Sequence, residues 1–464
     1  MGILDILENV GLGTISLIIY IVTIIALNTL FKRKMAEAMI WSVLLLLIIG
    51  SIKGASPKTL AMEGLNFAMG QETLFASLSF VFMAYLMGTT GVIERLVKIL
   101  NSVLGRFSGG PAYVSTIASA LFGMVSGSGS GNASAVGSIT IPWMRETGWT
   151  KEDAAVIVAG NAGLGIAFPP SSSMFLLLGM PAVAAELTSS GLYATLFTSA
   201  VYLLITRLVL VFIYVRRKKI KAVPKELILP IGTALKENGT SLSIFLGVII
   251  PLLITMGPIS RYLTSQNSFG LMGVRSISML VWIPILMSVI TIIEGWRKLP
   301  HTFSEWFEYI QKGIGKYSEV GVLLFAAFTA SRILILLGLQ EEITTIMNLI
   351  AGHSKFLVIG LIALLVSMMV GPFSGTATTT AVGSIAYIAF RSIGISPAVS
   401  CSVFLLLASN EGCIPPSSAP LYIAAGIADV DKPGSIFKIT ILHYAIPAII
   451  VAILIALGTL PIFG

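Results

Sequence analysis

"FGMVSGSGSGNASAVGSITIP", residues Phe122–Pro142, alternates serine and glycine from Ser126 to Gly131 inside an otherwise oily chain. Of 464 residues, 56% are hydrophobic and 11% charged, and the mean hydropathy is +0.95. A soluble globular chain carries about 25% charged residues. Apolar runs of roughly 20 residues, enough to cross a bilayer core, recur along the whole length. They are continuous, unlike the short alternating strands of a membrane barrel. The expected fold is an all-α polytopic membrane protein embedded in membrane lipid. The net charge of +8 does not point to nucleic acid, because the basic residues sit at segment ends, as the positive-inside rule requires. Cys401 and Cys413 have neither metal-site spacing nor a disulfide framework. The N-terminal "MGILDILENVGLG" lacks a basic leader, so no cleaved signal peptide is expected.

Working outward from the Ser-Gly run, the same pattern returns. "SGSGNASAVGSITIPWMRETGW" starts at Ser128 and "SGTATTTAVGSIAYIAFRSIGI" at Ser374, an ungapped offset of 246 residues. That register also carries "PPSS" at Pro169–Ser172 onto "PPSS" at Pro415–Ser418. From 126 to 172 it gives 14 identities in 47 positions. The chain is therefore divided into a first repeat at 10–216, a basic cytoplasmic linker at 217–238 and a second repeat at 239–461. Each repeat is expected to hold a re-entrant hairpin (109–147 and 356–392) and a helix broken at the double proline (153–188 and 398–428). Five crossings then separate the two hairpins, and an odd number inverts the second copy. Under this topology 21 Lys/Arg fall on one side and six on the other. The basic side is cytoplasmic.

Non-helical backbone at membrane depth is tolerated only where it is buried in protein or lines a watery cavity. Glycine lets the chain turn there, and proline frees carbonyls upstream. Inverted repeats with interrupted helices in matching positions point to the midplane site of a secondary transporter. Unwound carbonyls and hydroxyls there can hold Na+, the expected coupling ion. Ser128, Ser130, Asn132, Thr376, Thr378 and the carbonyls near Pro169 and Pro415 are the candidate Na+ ligands. Ser172, Ser374 and Ser418 are placed beside the substrate.

The hairpin tip followed by "GSITIPWMRETGWTKEDAA" and "GIAFPPSSSMF" resembles the large membrane subunit of tripartite ATP-independent periplasmic (TRAP) transporters. The likeness covers Ser126–Asn132, Gly137–Met144 and Pro169–Pro170, and in the second copy Ser374–Thr380, Ala381–Ile385 and Pro415–Pro416. The resemblance implies an elevator-type transporter of the ion-transporter superfamily, with scaffold and transport domains. It also implies Na+-coupled import of a small organic anion, usually a carboxylate, across the prokaryotic inner membrane. The partners implied are an extracytoplasmic substrate-binding protein and a small four-helix membrane subunit. A stand-alone Na+- or H+-coupled carboxylate symporter of the same superfamily is the second reading.

Two residues depart from that pattern. Glu411, in "SNEGCIPPSSAPLY", replaces an expected small neutral residue, and Arg332 lies within "FAAFTASRILILLGL". Charge at membrane depth is costly and signals function by default. The readings are that the two pair with each other, that Arg332 binds a substrate carboxylate, or that Glu411 titrates. Arg207 is expected to snorkel toward the basic end at Arg216, and 301–317 to lie as an amphipathic helix along the interface. An enzyme is not expected: the Ser-Gly run carries no G-x-S-x-G elbow, and no histidine lies in the helices flanking the hairpins. A passive channel could reuse polar re-entrant loops, but it would show no counterflow.

Overall fold

A computed structural model describes residues 11–463 apart from 53, 71, 127–128, 224–227, 256, 267–269, 340, 343–344, 346–354 and 415–417. Among the described residues all regular structure is helical. Among the described residues three helical runs are long and apolar enough to cross a membrane: Ser189–Lys218, Ile231–Thr255 and Pro433–Ala456. Two bent pairs each make a further apolar unit.

The run Ser189–Lys218 shows how these helices are built. Thr188 caps its start, accepting from the Gly191 amide. Arg216, Arg217 and Lys218 occupy its last turn, where cations favour the exposed carbonyls. Leu196, Ser199, Ala200, Leu203, Arg207 and Val211 are buried on one face, while Ile205, Val209 and Phe212 stay exposed on the other. In water that outer stripe would be costly. Against lipid it needs no partner, and the small inner residues let neighbouring helices approach. Ile231–Thr255 begins inside the expected 217–238 linker, so helix occupies both ends of that segment.

The first bend, 66°, lies between Leu78–Thr90 and Val92–Leu104. Gly91 makes it in the left-handed region, at φ +75°. The second, 42°, lies between Lys151–Ala167 and Ser172–Leu178, where Pro169 and Pro170 remove two amide donors in succession.

The first expected hairpin, 109–147, is two helices, Gly110–Ser126 and Gly129–Glu146. They pack side by side, and with two residues between them they must run antiparallel. The second, 356–392, differs: hydrogen bonding is helical from Lys355 to Ser392 without interruption. The composition accounts for this. Glycine alternates with serine in the first tip, whereas 374–380 is Ser-Gly-Thr-Ala-Thr-Thr-Thr, with a single glycine. The 246-residue register persists in the elements. Lys151–Ala162 and Pro397–Ala408 are both 12-residue helices with equivalent bounds.

The expected interfacial helix at 301–317 is part of a longer element, Phe303–Leu336. A capping box starts it, with Thr302 and Glu305 each accepting the other's backbone amide. Its first half is exposed and its second half buried. No proline intervenes to stop it, so the amphipathic part runs directly into the buried part.

Candidate functional site

The first hairpin and the segments leading into the two double prolines meet backbone against backbone. A Cβ on Gly163 would lie 2.0 Å from the Ser409 carbonyl oxygen, and one on Gly412 would lie 1.9 Å from the Ala159 oxygen. The segments that lead into the two double prolines are thus in direct contact. A Cβ on Gly165 would lie 1.8 Å from the carbonyl carbon of Gly123, which brings the first break onto the first hairpin. Only glycine permits these approaches.

Asn132 ties the first tip to the first break. Its Nδ2 donates to the carbonyls of Ser119 (2.9 Å) and Ala162 (2.8 Å). Its Oδ1 is buried and has no hydrogen-bond partner. At the equivalent position of the second copy, 246 residues on, Thr378 is fully buried with an unpartnered Oγ1. The neighbouring hydroxyls are used locally: Thr379 donates to Gly375 O at 2.8 Å and Thr380 to Ala377 O at 2.9 Å. Thr378 and Asn132 therefore keep free acceptor oxygens at matched positions of the 246-residue register. Buried polar atoms are nearly always satisfied, and exceptions call for an explanation.

At the second break the short helical turn Ser409–Gly412 carries Glu411 into the middle of the assembly. Its carboxylate is buried and accepts the backbone amides of Gly129, the first residue of its helix, and Gly375, the repeat-equivalent residue. Among the described residues it forms no ion pair. Ser418 Oγ donates to the Glu411 carbonyl at 2.5 Å. Asn410, beside it, is fully buried with both side-chain polar atoms unpartnered.

Of the candidate Na+ ligands, Asn132 and Thr378 have buried oxygens without a hydrogen-bond partner. Ser130 and Thr376 follow the two tip glycines and are half-buried. Ser128 and Pro415 lie outside the described residues, as does the side chain of Ser374. The Pro169 carbonyl accepts from Tyr193 Oη at 3.3 Å. In the first break it is Ser171 that turns inward, donating to Ile166 O at 2.9 Å and capping Met174 N at 3.1 Å. Ser172 is half-buried at the first position of its helix. The glycines of "GNAGLG" at 160–165 escaped the sequence reading, although their spacing signals close backbone approach.

A family model, "Tripartite ATP-independent periplasmic transporter, DctM component", matches residues 17–461. The chain belongs to this family. It is therefore a transport protein of the membrane and not an enzyme. It is similar to the C4-dicarboxylate TRAP transporter large permease DctM of Vibrio cholerae, 36% identical over 120 residues, 26% of each chain. It is similar to DctM of Pseudomonas aeruginosa, 33% identical over 153 residues, 33% of this chain and 35% of that one. The sialic acid TRAP permease SiaT of Haemophilus influenzae is 26% identical over 208 residues, 45% of this chain and 32% of SiaT. These alignments span about a quarter to a third of the relatives' own length. Two solved structures share the fold at low identity. The YdaH transporter of Alcanivorax borkumensis has a TM-score of 0.62 at 15% identity, covering 91% of this chain and 98% of its own. MtrF of Neisseria gonorrhoeae has 0.63 at 13%, covering 92% and 95%.

Within this TRAP permease two charged residues behave differently from expectation. Arg332 does not pair with Glu411. Its Nη2 lies 3.0 Å from Glu63 Oε2, and the two side chains are 33% and 49% exposed. The partner lies 269 residues away on the helix Pro57–Met69, which packs along the helix of Arg332. A half-exposed pair contributes about 0–1 kcal/mol. Replacing both with glutamine is expected to leave uptake intact and move the unfolding midpoint by less than about 3 °C. Loss of cargo binding in the folded double variant would restore Arg332 to the site.

Arg207 does not snorkel. It is 1% exposed and stacked on Tyr444 with its Cζ 4.5 Å from the ring centroid, close to Cys413, and its Nε and Nη1 have no hydrogen-bond partner. The aromatic face and the second break hold it inward, so its stem never turns toward Arg216.

Proposed function

We propose that this chain is the Na+-coupled large membrane subunit of a binding-protein-dependent TRAP system, importing a small organic acid across the prokaryotic cytoplasmic membrane. The observation that carries this reading is the matched pair of free, buried acceptor oxygens, Asn132 Oδ1 and Thr378 Oγ1, one in each copy of the repeat. Na+ takes neutral oxygens, and discontinuous helices supply them at the midplane of inverted-repeat transporters. Ser130 and Thr376, with the carbonyls of the breaks, complete the donor set. Ser172, Ser374 and Ser418 border the space left for cargo.

Two inverted repeats and an elevator motion accompany this reading. The first hairpin, its helical counterpart in the second copy and the breaks form the moving part. The helices Leu12–Ile25 and Phe303–Leu336 form scaffold against it, and a crevice lined by Tyr20, Ser331 and Ser384 runs along their border with the helix of the second copy. A soluble extracytoplasmic protein delivers the cargo, and a small four-helix subunit completes the membrane part.

The test is uptake into proteoliposomes holding this chain with its small subunit. C4-dicarboxylates and sialic acid, the cargoes named for the relatives, are offered with and without the binding protein. Accumulation that needs an inward Na+ gradient and the binding protein is expected. Accumulation by this chain alone would replace the tripartite reading with a stand-alone symporter.

A further inference from the structure

The position of Glu411 carries a consequence for cargo selection, resting on the transport reading above. In the 246-residue register its counterpart is Gly165, which is pressed against Gly123 and has no room for a side chain. The second copy has that room and fills it with a carboxylate. A Cβ on Gly129 would lie 2.6 Å from Glu411 Oε2, and one on Gly375 would lie 3.2 Å from it. The carboxylate therefore touches both tips at equivalent glycines, each donating its amide. The Gly375 amide lies inside a helical run, where a backbone amide is ordinarily spent on the carbonyl four residues earlier. Here it also faces an anion. Two converging backbone amides are what a carboxylate ligand requires.

We propose that the Gly129 and Gly375 amides form a carboxylate cradle between the two repeats, and that Glu411 is its built-in occupant and a specificity-determining residue. A cargo carboxylate is excluded from this point, because two like charges cannot both ionise in one cradle. Cargo meets Glu411 with a hydrogen-bond donor, an ammonium or a hydroxyl, and carries its own carboxylate elsewhere. The unpartnered Asn410 side chain, next in sequence and equally buried, offers both a donor and an acceptor for such a solute. The substrate class is thus a hydroxylated or amine-bearing organic acid.

The experiment compares the purified full chain with Glu411→Gly, which restores in the second copy the residue found in the first. Unfolding midpoints are read in detergent at fixed pH, fixed Na+ and constant ionic strength, with chloride replaced stepwise by acetate. The glycine variant is expected to gain about 2 °C or more, saturably, as acetate takes the vacated cradle. Wild type and Glu411→Gln, whose cradles stay filled, are expected not to respond. If Glu411→Gly aggregates, Glu411→Ala purified throughout in acetate or in chloride gives the same reading as recovery of monodisperse protein. A folded glycine variant that responds no more than wild type would overturn the cradle, as would equal recovery of the alanine variant in both salts. Na+ is held constant, so failure here leaves Na+ coupling standing, and failure of Na+ coupling leaves the cradle standing.

Discussion

Gly165→Ala is expected to abolish recovery of folded protein. The added Cβ would sit 1.8 Å from the Gly123 carbonyl carbon and 2.1 Å from its Cα. Overpacking a core typically costs about 1–3 kcal/mol because side chains can shift. Here both partners are backbone, one in a packed hairpin and one in a broken helix, so no rotamer relieves the contact. The cost should exceed about 3 kcal/mol, a large part of a typical stability margin. Gly360→Ala is the control. Gly360 also lies in a helix, but a Cβ there meets nothing within 4 Å. The same substitution should stabilise there by about 0.5–1 kcal/mol. Size-exclusion profiles of the two variants give the comparison directly. A monodisperse Gly165→Ala protein with an unchanged midpoint would show that the break and hairpin do not pack as described.

The second large effect is on Na+ affinity. Thr378→Val keeps the shape of the side chain and removes a hydroxyl that has no partner. Leaving a buried polar group unsatisfied is unfavourable, so the Na+-free variant should be at least as stable as wild type. Na+ would lose a ligand, and its apparent Kd should rise about tenfold or more, equivalent to about 1.4 kcal/mol. Asn132→Ala should weaken Na+ similarly but also destabilise the Na+-free protein. It strips the Ser119 and Ala162 carbonyls of their donor, at about 1–3 kcal/mol. The opposite signs on stability, with the same sign on affinity, separate ion binding from simple damage. Calorimetric Na+ titration of the three proteins measures it. Unchanged affinity in both variants would remove these residues from the site.

Much of this was legible in the residues. The alternation of serine and glycine and the double proline at 169–170 located the first tip and the first break, because turning backbone inside a membrane needs particular residue types; the second expected hairpin, poor in glycine, runs as one helix. Glu411 stood out for the same reason, as a charge in an apolar run. Its partners did not, since a glycine amide leaves no side-chain signal. The ion-pair partner of Arg332 was not legible, because Glu63 lies 269 residues away and no local pattern links them. The continuity of Phe303–Leu336 was missed because its composition changes from polar to apolar midway while its helical hydrogen bonding does not. Arg207 followed the snorkelling rule in sequence, and only the placement of Tyr444 and Cys413 shows why it stays inside.

The most direct measurement of the central claim is the unfolding midpoint of the purified protein in Na+ against choline at equal ionic strength, repeated at two pH values. An ion that binds only the folded state raises the midpoint by mass action. The account predicts a saturable rise specific to Na+ at both pH values, much reduced in Thr378→Val. Equal midpoints in Na+ and choline, with a midpoint that instead follows pH, would contradict a Na+ site at the two tips.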